Sequence, residues 1–345
     1  PSEKKIHTII SGYLYEETFI DQFNHIHHNQ PGGSLLYAAS GHALFNKNIG
    51  LIGKTSLDFL SKFWSDLEKL GADLRGITIT SNCQSDQHYY RITSRDSWET
   101  TLLLRHFAEL GYTIPKDLLE NSSTYKVAAQ KSIQNSSPFT SSDFPTIYRE
   151  AKTVLLTSLD YLSHFACIPF LRKTGIEHIC LRTSPTYMIP TKLSALGKLF
   201  HGIDIVFTTE NEIKKVFSTH FEHYSEMLKA LLTFEPSAFL INNKEGNYTC
   251  LCKEDHQILR VPHYPVNSVY PVGEYDCFCG AFTACQSCFN ISLEECAAFA
   301  SAAASVCSEG DGIGYILQTL PDIIRRRADV IRQNITYEQI SSSLE

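Results

Sequence analysis

The residues best suited to chemistry stand in one stretch, V-Y-P-V-G-E-Y-D-C-F-C-G-A-F, from Val269 to Phe282. The small residues from Cys277 to Cys285 read as helix, so Gly273-Glu274-Tyr275-Asp276 falls at a helix N-terminus. First-turn amides have no partners within their helix, and the dipole is positive there, which together make an anion site. Asp276, the fourth residue, stands beside any anion that lands there. Phosphoryl transfer to a hydroxyl needs that pairing: donors for the charge on the moving group, and a base for the accepting hydroxyl. Taken alone, the stretch also reads as an ordinary helix start, since Asp in a first turn is common as a cap or dipole partner.

Other constellations are weaker. Gly32 and Gly33 precede a small-residue helix from Leu35 to Leu44; two glycines there allow close backbone approach, or make a plain turn. Thr209-x-x-Glu212 has capping-box spacing. His25, His27 and His28 lack the Cys or Asp spacing of a metal site and read as a polar loop. Cys285-x-x-Cys288 lies within the helix and has no second close pair, so it reads as packing and not as zinc ligation.

These residues need elements to hold them. Ile6–Ser11 reads as strand, Leu35–Leu44 as helix, Ile49–Gly53 as strand, and Leu57–Leu70 as helix with Thr55-x-x-Asp58 as its capping box. Strand–helix alternation resumes from Lys152 and runs to the strand Ile203–Phe207, the helices Ile213–Phe217 and Glu222–Leu232, and the strand Ala238–Asn242. A hairpin turns through Lys244-Glu245-Gly246-Asn247, and helices cover Cys296–Cys307 and Asp322–Gln333. Such alternation predicts an α/β fold with parallel strands, in one domain spanning 1–345. Strands near Glu16 and over 76–93 are expected to form a small separate sheet, and Asn121–Ser142 to be loop.

Composition sets outer limits. The chain has 345 residues, a net charge of −7 and a pI near 6.1, so it carries no basic field for nucleic acid. No apolar run reaches the ~18 residues of a membrane span. Its 11 cysteines form no small-domain framework and read as reduced thiols, which predicts a cytoplasmic protein. No G-x-G-x-x-G follows the first strand, which argues against a dehydrogenase.

In this order, from about Ile6 to Arg332, the elements resemble the ribokinase/PfkB family of sugar and nucleoside kinases. The family's Gly-Gly before a helix is matched by P-G-G-S-L-L-Y-A-A, its next strand by I-G-L-I-G-K, and its Asn-x-x-Glu by Thr209 to Glu212. Its C-terminal D-T-x-G-A-G-D-x-F-x-x-G-F falls on Y-P-V-G-E-Y-D-C-F-C-G-A-F. The resemblance implies a three-layer α/β/α sandwich with a mostly parallel sheet and a small β lid from about 12–20 and 76–93. It implies ATP and Mg²⁺ as cofactors, a sugar, polyol or nucleoside as phosphate acceptor, and lid strands that could pair two subunits.

Position by position, the resemblance makes Asp276 the base, and the amides of Gly273, Glu274 and Tyr275 the anion hole. Glu212 organises Mg²⁺. Glu17, Gly32, Gly33, Ser34 and Tyr37 face the substrate, and Asn242, Lys244 and Gly246 the nucleotide. The sequence departs from the family at several of these places. Tyr275 replaces an anion-hole glycine, in a position that is strained for tyrosine if it requires positive φ. Glu274 adds a negative charge, and Thr209 replaces the asparagine. Asn242-Asn243-Lys244 replaces Thr-x-Gly, Tyr37 an asparagine, and Arg182 an aspartate. The surviving base tips the reading to an active kinase, favoured by Asp276 and Glu212; the alternative is a catalytically degenerate relative that binds a ligand or protein, favoured by the departures.

Overall fold

The computed structural model describes residues 5–80, 87–95, 97–100, 103–114, 116–120, 138–289 and 291–340. The chain begins β1 (Thr8–Ser11), β2 (Tyr15–Ile20), β3 (Ile26–Gly32), α1 (Ser34–Ala43), β4 (Ile49–Thr55), α2 (Leu57–Leu70) and β5 (Asp73–Ile79). It continues β6 (Gln87–Ser94), β7 (Ser97–Glu99), α3 (Leu103–Glu109) and α4 (Lys116–Glu120). The alternating middle is β8 (Thr153–Leu156), α5 (Tyr161–Lys173), β9 (His178–Arg182), α6 (Leu193–Leu199), β10 (Ile205–Thr209), α7 (Glu210–Phe217) and α8 (Tyr224–Leu231). The last part is β11 (Ala238–Asn242), β12 (Tyr248–Cys252), β13 (Gln257–Val261), α9 (Glu274–Cys288), α10 (Leu293–Glu309), α11 (Ile313–Gln318), α12 (Pro321–Gln333) and β14 (Thr336–Gln339).

The main sheet has ten strands in the order β14-β13-β12-β11-β10-β9-β8-β1-β4-β5. From β5 to β11 all neighbours are parallel, and β12, β13 and β14 add an antiparallel edge. Successive side chains on a strand point to opposite faces, so a sheet covered on both sides must be apolar on both. On β8, Leu155 joins the core under α1 and α9–α12, whereas Val154 and Leu156 join the core under α5–α8. The result is the three-layer α/β/α sandwich the resemblance implies.

A second sheet, β3-β2-β6-β7, forms the lid. Its composition differs from expectation in two places. The I-T-I-T stretch within 76–93 belongs to β5 and pairs with β4 in the main sheet, so only 87–93 is lid. His27 and His28, expected in a loop, lie in β3, where the His27 ring stacks on Phe19 at 4.4 Å. On one face of the lid, Ile20 and Tyr89 pack against Phe107 and Leu118 from α3 and α4. The polar stretch 121–142 lies outside the described residues up to 137.

Two contacts fix the seat of α9. Its Gly280 lies so close to α1 that a Cβ would collide with the Ala38 carbonyl, and a Cβ at Gly41 would collide with that of Cys277. Ala38, Ala39 and Gly41 keep the α1 surface low enough for this approach. Interiors pack near crystal density, so the first turn of α9 is held with little freedom. The α2 cap falls one residue later than the expected Thr55: Ser56 Oγ accepts from Phe59 N at 3.1 Å, and Gly71 at φ 69° closes the other end.

Candidate active site

Parallel sheets present their ligand sites at the C-terminal ends of the strands, where loops and helix N-termini converge. Here β9 ends at Arg182, β10 at Thr209 and β11 at Asn242, with α9 starting beside them. Gly273 takes φ 85°, a left-handed turn that glycine enters without steric cost, and the helix begins at Glu274. Tyr275 is helical and is not among the described non-glycine residues of positive φ, so the strain expected of it does not arise.

Each side chain of the Gly-Glu-Tyr-Asp turn takes a different course. The Glu274 amide already donates to Pro271 O at 3.1 Å, which occupies one of the three amides expected to hold an anion. The Glu274 carboxylate turns inward. Its Oε1 accepts from Tyr248 Oη at 3.1 Å, lies 3.1 Å from His263 Nε2, and is 3.9 Å from Nη2 of Arg95. Arg95 comes from the β6–β7 turn of the lid and rests on Gly246, where a Cβ would collide with it. The Tyr275 phenol shares its proton between Thr208 O at 2.7 Å and Leu240 O at 2.5 Å, bridging the ends of β10 and β11. The Arg182 guanidinium lies 4.8 Å from the centre of that ring.

Asp276 is half-buried as a residue, but its Oδ1 is sealed and has no hydrogen-bond partner among the described residues. Burial pushes its carboxyl up to about 6, against a pull downward from Arg182 and a push upward from Glu212. Glu212 is the third helical residue of α7 and completes a capping box with Thr209. Its Oε2 accepts from Thr209 N at 2.9 Å, Thr209 Oγ1 at 3.0 Å, Thr183 Oγ1 at 3.1 Å and Arg182 Nη1 at 2.9 Å.

On the lid strand β2, Glu17 is 1% exposed. Gly33 N donates to its Oε1 at 3.1 Å, and the phenols of Tyr37 and Tyr270 donate to Oε2 at 2.8 and 2.9 Å. A Cβ on Gly32 would collide with this carboxyl group, and a Cβ on Gly273 would collide with the Tyr37 ring. The Tyr270 ring stacks on Phe19 at 3.7 Å. Burial raises the Glu17 carboxyl to about 7, opposed by its three donors. Ser34 Oγ lies 2.9 Å from Thr157 Oγ1 and accepts from Tyr13 N at 3.2 Å.

On the strand expected to meet a nucleotide, Asn242 Oδ1 and Asn243 Oδ1 are buried without hydrogen-bond partners among the described residues. Asn243 Nδ2 donates to Thr249 Oγ1 at 2.7 Å. Lys244 is exposed, and Gly246 is buried under Arg95. Thus Asp276, Glu212, Tyr275 and Arg182 form one group, and Glu274 lies beside it with Tyr248, His263 and Arg95. Glu17, Gly32, Gly33, Tyr37 and Tyr270 form a second, and Gly273 joins the two through Tyr37. Reasoning from the sequence passed over Arg95, His263, Tyr248 and Tyr270. Of these, only Tyr270 had a signal, its place just upstream of Gly273.

The donor set does not fit Mg²⁺. A hard divalent ion needs oxygen ligands with free lone pairs, whereas the Glu212 Oε2 is ringed by three hydroxyls, an amide and a guanidinium. Among the described residues no group of three or more His, Cys, Asp and Glu could hold a metal. A phosphate-bearing ligand fits better, because Arg95 Nε and Nη2, Arg182 Nε and His263 Nδ1 are buried with no hydrogen-bond partner among the described residues. Among the described residues no helix is long and apolar enough to cross a membrane.

The comparisons with known proteins agree with this architecture. Residues 172–320 match the model of the pfkB family carbohydrate kinases. A ribokinase from Arabidopsis thaliana complexed with ribose and ATP is 16% identical with a TM-score of 0.67, over 94% of this chain and 98% of its own. A putative ribokinase II from E. coli in complex with ATP and Mg²⁺ is 14% identical with a TM-score of 0.70, over 94% and 99%. A fructokinase with bound ATP from Xylella fastidiosa is 15% identical with a TM-score of 0.65, over 95% and 99%. No curated protein is significantly similar in sequence. The chain therefore has the ribokinase-like fold, and its residues 172–320 are similar to the pfkB family carbohydrate kinases.

Proposed function

We propose that this chain is a non-catalytic PfkB-type module that binds a polar, phosphate-bearing ligand such as ATP at the strand ends and does not phosphorylate a sugar. One observation carries this reading. Glu17, which the family resemblance puts on the substrate side, accepts from Tyr37, Tyr270 and Gly33 and lies wholly inside the protein. A sugar hydroxyl could reach Glu17 only by displacing two buried phenols, each worth about 1–3 kcal/mol as a hydrogen bond to a charged group. The nucleotide side supports binding through its unpartnered donors. The chain is read as one domain, with α3 and α4 packed on one face of the lid.

A second reading, ATP-dependent transfer to a hydroxyl of a sugar, polyol or nucleoside with Mg²⁺, is favoured by Asp276. Its unpartnered Oδ1 at the start of α9 is where a base for that transfer would stand.

The experiment is ADP release from ATP and Mg²⁺ against a panel of pentoses, hexoses, polyols and nucleosides, with ATP binding measured in parallel. The expected result is binding without acceptor-dependent turnover, and Tyr37→Asn alone should not restore it while Tyr270 still holds Glu17. Turnover that vanishes in Asp276→Asn would establish the kinase instead. Absence of ATP binding at millimolar concentration would remove the nucleotide from the proposal.

A further inference from the structure

The charged groups at the strand ends do not form the set a metal-dependent site needs. Glu212 and Asp276 are two carboxylates with a guanidinium, Arg182, among them. Arg182 stands at the last position of β9, where the family resemblance leads one to expect an aspartate. Its Nη1 reaches both oxygens of Glu212, at 2.9 and 3.2 Å, and the carbonyl of Thr183 at 2.5 Å. Its plane is held over Tyr275, whose phenol is tied to two strands. The side chains of Arg182 and Glu212 are only 12% and 5% exposed.

We infer that Arg182 is the resident cation of this site, taking the place of a divalent ion, so that any phosphate-bearing ligand bound here is bound without Mg²⁺. Magnesium keeps most of its water and is held through one or two carboxylates with oxygen atoms to spare. Here every group converging on Glu212 Oε2 is a hydrogen donor, and one is itself a cation. An arriving Mg²⁺ would have to break a buried ion pair and face the displaced guanidinium at short range. An arginine, in contrast, gives a fixed fork of N–H donors that suits phosphate as well as carboxylate, and Arg182 Nε still has no hydrogen-bond partner among the described residues.

This inference rests on the reading of the cleft above, yet it fails separately from it. Mn²⁺ serves as the probe for the metal, read by its paramagnetic resonance signal on the full chain. The wild type and Glu212→Gln should leave the same concentration of free Mn²⁺. A wild type that binds one equivalent which Glu212→Gln loses would overturn the inference. The second arm is thermal stability. Arg182→Met leaves Glu212 buried and uncompensated, so its Tm should fall by roughly 5 °C or more, and Arg182→Met/Glu212→Gln should recover much of that.

Should Arg182→Met not fold, Arg182→Lys, which keeps the charge, should fold and still bind no Mn²⁺ through Glu212. An Arg182→Met variant as stable as the wild type would also overturn the inference. A protein that binds Mn²⁺ through Glu212 but turns over no sugar sinks this inference alone. One that phosphorylates a sugar in the absence of any divalent ion sinks only the non-catalytic reading.

Discussion

The two halves of the cleft differ in how their polar atoms are satisfied. Around Glu17 the acceptors are taken, by Gly33 N, Tyr37 and Tyr270, and the group is closed to solvent. Around Gly246 and Asp276 the opposite holds. Arg95, Arg182, His263, Asn242, Asn243 and Asp276 each keep a buried polar atom with no hydrogen-bond partner among the described residues. Buried polar groups are nearly always paired, so a saturated cluster reads as finished structure and an unsaturated one as a place for water or ligand. The Tyr37 phenol thus belongs to a closed cluster around Glu17, while the strand ends keep buried polar atoms without partners among the described residues.

The largest test of that contrast is a pair of substitutions. Glu17→Ala strands two buried phenols and one amide, and should cost about 3–5 kcal/mol in chemical denaturation. Asp276→Asn removes a buried charge whose Oδ1 has no partner, and should change stability by no more than about 1 kcal/mol, in either direction. Equal losses in the two variants would abolish the distinction between the halves.

A smaller effect comes from pH. Both carboxyls are raised above their ordinary values, Glu17 from 4.5 to about 7 and Asp276 from 3.8 to about 6. In these windows the folded protein holds more protons than the unfolded chain, so the stabilisation present at low pH is lost as pH rises. Stability should therefore fall between about pH 4 and 7, with a slope of at most ~1.4 kcal/mol per pH unit from each group. Above pH 6.5 the slope belongs to Glu17 alone, because the Asp276 window has closed. Glu17→Gln should flatten the curve there and leave the fall below pH 6 in place. A wild-type curve that rises through this range would contradict the burial of Glu17 as an acid.

Much of the fold was legible because it is written locally. The alternation of the middle strands follows from the period of the two-sided parallel sheet, and Thr209-x-x-Glu212 is a cap whose partners are three positions apart. The start of α9 could be read from Gly273 and the small residues beyond it. What escaped is long-range. Tyr270 meets Glu17 across 253 positions, and nothing in either residue's neighbourhood announces the other. The I-T-I-T run reads as half-buried strand wherever it lies, so local pattern could not tell the edge of the main sheet from the lid. Strand β3 was hidden because its middle, His28-Asn29, faces solvent and carries loop-like residues. Tyr275 was expected to be strained because the family has glycine there. In fact the left-handed turn is taken by Gly273 and the phenol fits between two strands.

The smallest expected effect concerns the join between lid and strand ends. Arg95 is the described lid residue that lies against both Gly246 and Glu274, and its pairing with Glu274 is long, at 3.9 Å, with the arginine side chain 26% exposed. An ion pair of that geometry contributes about 0–1 kcal/mol, so Arg95→Ala should barely move the global denaturation midpoint. Its local consequence is larger in relative terms, because β7 of the β6–β7 hairpin is short and exposed. Amide exchange of 87–99 should speed up by up to about fivefold, as expected for the loss of up to ~1 kcal/mol of local stability, while α9 stays protected. Unchanged exchange in the hairpin would mean that the lid is held by Phe107 and Leu118 on its far face alone. The contrast between the sealed cluster around Glu17 and the unsatisfied polar atoms at the strand ends would then owe nothing to closure of the lid.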